Sequence, residues 1–266
     1  MDKPKYRDEL FALGAKLRDN GIRMSIESEL KVTEHGSADP KMLAVALLGR
    51  SLANFKGAAM MVREGLIVEA RTLVRSCYEN MFFIAKLESD GLAFVVKMRD
   101  DEVASKLKRS KFVLDTPDIV EGLLQETRKN LQAYNDKVKA NFPNAKILNP
   151  KSVSDGGPLA TAYLAYSQLS ADSAHPSFSS LVRHFSRIEE NGQAVRCFDI
   201  QPNPRDAELD ETMYLGCSAI LGVLVGTNQL LGGTPAGKDL WSLSAEHVAL
   251  TQKRWTTYEE TSAEKD

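Results

Sequence analysis

The stretch REGLIVEARTLVRSCYENMFFIAKLE, residues 63–88, decides the fold, and within it Arg71, Arg75 and Glu79 recur every fourth position. Residues four apart on an α-helix lie one above another, so the three charges form a single row. With about 100° between successive residues, Leu66, Ile67, Ala70, Leu73, Val74, Cys77, Tyr78, Met81 and Ile84 make one broad apolar face. Val68, Phe82 and Phe83 fall on the same half as the charged row, which predicts a helix covered nearly all round. The charged row then sits in a partly closed pocket.

Guanidinium groups taken out of water need acceptors, and Arg71 and Arg75 share only Glu79 along their row. This predicts an anionic deficit that further acids, carbonyls or the phosphate of a ligand would fill. The plainer expectation is a solvated i,i+4 pair between Arg75 and Glu79, with Arg71 reaching water or an acid elsewhere. Such a pair is worth only about 0.3–0.5 kcal/mol.

The 266 residues are 43% hydrophobic and 26% charged, the composition of a soluble globular chain able to bury a sizeable core. A net charge of −2 gives no overall field toward nucleic acid or acidic lipid, so any such contact has to be local. Cys77, Cys197 and Cys217 are odd in number and widely spaced, which predicts reduced thiols and a cytoplasmic protein. The first residues, MDKPKYRDELFALGAK, lack the apolar core of a signal peptide, so export is not expected.

Outward from the central stretch, helical periodicity dominates. Residues 4–32 carry Leu10, Phe11, Leu13, Leu17, Met24, Ile26 and Leu30 on one face, with Gly14 and Gly21 predicting a bend or a break. Asp39-Pro40 is a cap and first turn for a helix reaching Met61, with Met60 among its buried residues. After Gly91 a charge-dense segment reads as a solvated helix. Thr116-Pro117-Asp118 opens another, with Ile119, Leu123, Leu124, Leu131, Tyr134 and Val138 toward the core and an end near Phe142-Pro143. A polar loop, residues 143–158, leads to a helix over about 159–174. Asn191-Gly192 then predicts a tight hairpin at about 184–200, lying on the helices.

Residues 206–231 open with four acids suited to a helix N-terminus and continue through MYLGCSAILGVLVGTNQLL. That run invites a membrane span. Its glycines and polar residues, and the absence of flanking Lys/Arg clusters, instead predict a buried central helix and no stable membrane insertion. A final helix with Leu240, Trp241, Leu243, Val248, Leu250 and Trp255 precedes a polar tail at 260–266. The expected fold is all-α, a multi-helix bundle with a small β-hairpin insert, as one domain over 1–266.

Motifs for familiar chemistries are incomplete. GGTPAGK, residues 232–238, has the glycine spacing and lysine of a phosphate loop, but Asp239 stands where Ser or Thr would hold magnesium and a helix precedes it. It reads as a glycine-ended helix followed by a turn. His35, His175, His184 and His247 show no HExxH spacing, no CxxC occurs, and neither a metal nor a cofactor is expected. Asp172 lies three residues before His175 and can orient its ring. Arg71 and Arg75 would stabilise an anion, while His175 and Glu79 exchange protons. Tyr78, Tyr166 and Asp172 are the candidate substrate contacts.

The segments EARTLVRSCYENMFF, with Arg71, Arg75 and Glu79, and YSQLSADSAHPSFSSL, with Tyr166, Ser170, His175 and Ser177, resemble a bacterial all-helical family of unknown function. The resemblance covers about residues 40 to 235. It implies a helical fold and no particular activity. A looser likeness is to HEPN-type helical bundles, many of them dimeric ribonucleases in toxin or phage-defence systems. Their Arg precedes His by four to six residues on one helix, whereas here Arg183 and His184 are adjacent. The resulting expectation is a pocket that binds or cleaves a phosphate-bearing substrate such as RNA or a nucleotide, as a metal-independent ribonuclease. The alternative is a non-catalytic helical interaction module or homodimer.

Overall fold

In the computed structural model, the described residues are 6–117, 119, 124–155, 159–173, 177–190 and 193–263. They form ten α-helices and one two-stranded antiparallel sheet, so the chain is all-α with a small hairpin. The helices are α1 (Tyr6–Glu27), α2 (Pro40–Arg63), α3 (Ile67–Asp90), α4 (Leu92–Asp115), α5 (Gln125–Asn141), α6 (Pro150–Ser154), α7 (Leu159–Ser173), α8 (Phe178–Val182), α9 (Asp206–Leu231) and α10 (Leu240–Ala263). The strands β1 (Phe185–Glu190) and β2 (Gln193–Phe198) pair Ile188 with Val195 and Glu190 with Gln193. Asn191 and Gly192 lie outside the described residues.

The core is a layer of long helices in which α3 packs on α2, α9 and α7, and α1 closes over α2 and α9. Gly14 and Gly21 do not break α1. A Cβ on Gly14 would stand 2.8 Å from the Phe55 ring, and one on Gly21 2.8 Å from Leu52, so these glycines let α2 come close. Ile26, placed on the core face by its spacing, is exposed because α1 ends one residue later. Asp39 caps α2 through the Lys41 amide at 2.8 Å, as its sequence predicts, while Met60 near the far end is exposed. Gly65, at φ +74°, turns the chain between α2 and α3.

Helix α9 satisfies the length and hydropathy of a membrane span by composition. Leu209, Met213, Cys217, Ile220, Val223 and Leu224 are buried, which makes it a core helix. It is the partner that gives α3 its second covered side. Gly222 permits this approach, since a Cβ there would overlap Met81 Sδ. Burial also pushes the thiols of Cys77 and Cys217 up to about 12, and all three cysteines are free.

Other expectations are corrected. The face of α5 predicted to enter the core is outside it: Leu124 and Tyr134 are exposed, and Asn135 is the buried residue of that helix. Leu123 lies outside the described residues. The expected polar loop contains α6, capped by Asn149 on the Lys151 amide at 2.9 Å, and Val153 joins the core. The aromatics of the hairpin are not covered by the helices: Phe198 lies against both Phe185 and His184, and the two phenylalanines stay largely exposed. Trp241 and Val248 of α10 are exposed too, and that helix runs to Ala263 through most of the expected tail. Residues 232–238 form the predicted glycine-ended turn, with Gly232 left-handed at φ +82° and Thr234 capping the Gly237 amide at 3.1 Å.

Between α9 and α10, His247 Nε2 stands 2.8 Å from Ser218 Oγ and its ring stacks on Tyr214. Burial lowers its pKa below the ordinary value, although a hydrogen bond with the Tyr214 backbone pulls the other way. The unfolded chain then binds this proton more readily than the fold does. Stability from this group is complete above the unfolded value near 6.5 and is lost as pH falls through the folded value. Urea midpoints of wild type should therefore drop between about pH 7 and pH 5, and His247→Gln should flatten that part of the profile. Superimposable profiles for the two proteins would refute the assignment.

Candidate functional site: the arginine cluster on α3

The row on α3 meets α7, the end of α8 and the first turns of α9. Arg71 is only 9% exposed. Its Nη1 donates to Asp172 Oδ2, its Nε to Thr212 Oγ1 at 3.3 Å, and its Nη2 lies 3.6 Å from Glu211 and 4.0 Å from Glu208. Arg183 enters from just beyond α8, donating to the same Asp172 Oδ2 at 2.8 Å and to Glu208 Oε1 at 2.7 Å. Two largely buried guanidiniums thus face three carboxylates. The further anionic partners expected for Arg71 are supplied from within the chain, by Asp172 and by the acids at the start of α9, which turn inward to meet it.

Burial by itself would raise the Glu208 carboxyl. Hydrogen bonds from the Arg205 amide and guanidinium, together with the charge and hydrogen bond of Arg183, outweigh it and hold the group below its usual range. The pairing is thus strong enough to keep a partly buried acid ionised. Asp206 and Asp210, on the outer side of the same turn, are held by Arg7, the latter at 2.6 Å from Nε. The run of acids at 206–211 therefore divides between arginines on opposite faces of α9.

Arg75 has different surroundings. Its Nε donates to Ser170 Oγ at 3.0 Å, and its Nη2 to Glu79 Oε1 at 2.7 Å and to the Tyr166 hydroxyl at 3.2 Å. Tyr166 in turn donates to Glu79 Oε1 at 3.0 Å, while its ring lies 5.3 Å from the guanidinium carbon. Phe82 braces that ring, edge-on at 5.8 Å between centroids. About a quarter of each charged side chain remains open, 24% for Arg75 and 28% for Glu79. This end of the row is a fixed, solvent-facing ion pair with two hydroxyls beside it.

Of the predicted residues, Arg71, Arg75, Glu79, Tyr166 and Asp172 come together. Tyr78 does not join them; it bonds to Ser218 of α9 inside the core, where burial raises its pKa. His175 lies outside the described residues. Asp172 is committed to Arg71 and Arg183. Sequence reasoning missed Arg183, Glu208, Glu211 and Thr212. The last three share one face of α9 at i, i+3 and i+4, a pattern that marks an inward polar stripe once acids are not all assigned to the helix end.

A family profile matches residues 41–194, more than half of the sequence. The chain belongs to the family of unknown function DUF5677. No curated protein and no solved structure matches. The DUF5677 segment is shorter than the span expected from the resemblance, ending inside β2 and including neither α1 nor α9. It contains Arg71, Arg75, Glu79, Tyr166, Ser170, Asp172 and Arg183, whereas Glu208, Glu211 and Thr212 lie beyond it. The HEPN-type likeness is not confirmed by these matches.

Proposed function

We propose that the open end of the row, Arg75 with Glu79, Tyr166 and Ser170, binds a phosphate-bearing ligand, an RNA or a nucleotide, and that Arg71 is the clamp holding that end in place. The observation behind this reading is the contrast between the two arginines. Arg71 is saturated by carboxylates, whereas Arg75 is oriented by three side chains and still reaches solvent. A guanidinium fixed in this way loses little freedom on meeting a phosphate. Cleavage, with Glu79 taking a proton, would also need His175.

Titration with a dinucleotide tests the binding. Arg75→Ala should keep its melting temperature within about 2 °C, because a partly open pair contributes little to stability. It should weaken the dinucleotide by about tenfold or more, the loss expected for a charge-assisted hydrogen bond. Unchanged affinity in that variant would remove the reading. For cleavage, wild type should degrade RNA and His175→Ala should not; equal rates eliminate the nuclease branch.

A second reading, an interaction module forming a homodimer, is favoured by a separate feature. Phe178, Leu181, Phe185, Phe198 and Ile200 leave an exposed apolar set on α8 and the hairpin. Light scattering decides it: a mass near twice the 29.4 kDa chain, reduced to one chain by Phe178→Glu, supports the dimer, and a monomeric wild type rejects it.

A further inference from the structure

Charge is unevenly distributed along this chain. Residues 106–146 hold nine Lys or Arg against five Asp or Glu, which leaves 25 against 31 for the rest. The basic portion is carried by the outer half of α4 and by α5, two helices about 36 and 26 Å long by their residue counts. On α4 only Phe94 and Val95, at its start, are buried, and α5 packs chiefly on α4. The pair is a basic arm on an acidic body.

The facing sides of the arm form a cavity of about 380 Å³. Lys108, Lys111 and Asp115 share one side of α4 at i, i+3 and i+7, and Gln132, Asn135 and Lys139 share one side of α5 at the same spacing. Three ammonium groups and one carboxylate therefore line it, and none of these lysines has an ion-pair partner among the described residues. Lys106, two residues before Lys108 and so on the opposite side of α4, is paired with Glu102. Asn135 is 3% exposed and its Oδ1 has no hydrogen-bond partner among the described residues. A buried acceptor left open costs about 1–3 kcal/mol unless something donates to it. Phe112, Tyr134 and Phe142 stand exposed on the same two helices and at their end.

We infer that the α4–α5 arm is a binding surface for single-stranded RNA, with Lys108, Lys111 and Lys139 on the phosphates and Asn135 accepting from a ribose hydroxyl or a base amino group. Phe112, next to Lys111 on α4, and Phe142, just past Lys139 at the end of α5, are exposed near the groove and provide the stacking that unpaired bases require. The ribose 2′-hydroxyl supplies a donor that DNA lacks. A flat anionic membrane would meet the outer lysines but could not enter the cavity to reach Asn135. The arm is distinct from the Arg75 site, and the two are tested with different ligands: a dinucleotide is too short to span the arm.

The experiment is anisotropy of a labelled oligouridine, roughly 10 nucleotides long, on the full chain at several salt concentrations. Replacing Lys108, Lys111 and Lys139 together by Gln should raise Kd at least about tenfold at low salt. It should also reduce the slope of log K against log salt by about two, near 0.7 for each phosphate no longer neutralised. Phe112→Ala with Phe142→Ala should weaken binding about fivefold or more at unchanged slope. Asn135→Ala should narrow the preference for oligouridine over oligodeoxythymidine. The triple lysine variant, and Lys139→Glu alone as a milder check on folding, replace exposed groups, so their melting curves should match wild type. The triple lysine variant should bind the dinucleotide as wild type does, because none of the three lysines belongs to the Arg75 site. Wild-type affinity in the lysine variants overturns the inference, as does lysine-dependent capture by phosphatidylserine vesicles without oligouridine binding.

Discussion

Replacing Arg71 by Ala lowers the urea midpoint more than any other single change to the charged row, by an amount equivalent to about 3–5 kcal/mol. The mechanism is removal of the cation itself. Asp172, Glu208 and Glu211 would remain in a partly buried cluster with Arg183 as their main counter-charge. With one cation removed, the negative charges of the cluster repel one another and protonation relieves them, so the acids resist ionisation more than they do in the unfolded chain. The sign of the pH dependence reverses as a result. In wild type, Glu208 is held low, so its stabilisation is present above the ordinary carboxyl value and lost as pH falls through the folded one. In the Arg71→Ala protein the raised carboxylates favour the fold on mild acidification, and the midpoint should recover toward about pH 5. A double substitution, Arg71→Ala with Asp172→Ala, should cost less than the two single changes summed, because each single change strands the other partner. Additive costs, or a variant that weakens further on acidification, would show that Arg71 is not the keystone of the acids.

Phe82→Ala is expected to cost about 3–5 kcal/mol, the usual penalty for emptying a fully buried aromatic site. In a chain of this length that is roughly 10 °C in melting temperature. The side chain is fully covered and touches both Tyr78 and Tyr166. Its removal frees the ring that supports Arg75, so ligand affinity at that end should fall as well, although Phe82 touches none of the polar atoms. Phe82→Leu retains most of the volume and should recover most of the stability, while Tyr166 keeps part of its freedom. A small stability change in the alanine variant would mean that neighbouring helices collapse into the space. Arg75→Ala would show the opposite profile, an intact fold with weakened binding, which separates a residue that acts on a ligand from one that acts through packing.

Arg71 and Phe82 are both buried residues of α3. Its polar row and apolar faces are both enclosed, so charged and aromatic substitutions report on the same interface with α7 and α9. The difference lies in solvent. Arg71 and Phe82 have almost none, and their replacement changes the interior; Arg75 and Glu79 retain some, and under the proposed function their replacement changes ligand binding with little effect on the interior.

Much of this was written in local sequence. The four-residue recurrence of Arg71, Arg75 and Glu79, the Phe82 and Phe83 pair on the charged half, the Asp39-Pro40 cap and Gly232 each act within one or two turns of helix, where geometry is fixed by the backbone alone. Those features established an all-helical chain and a helix enclosed on several sides. Partner choice was not local: Glu208 and Glu211 lie more than a hundred residues from Arg71, and only the packing of α9 on α3 turned them from end-of-helix acids into its counter-ions. The same holds for Arg183, and for the arm, whose lysines gather because two helices fold back on one another. Period and capping are properties of a helix, whereas charge balance is a property of the space between helices, and that space exists only once the chain has folded.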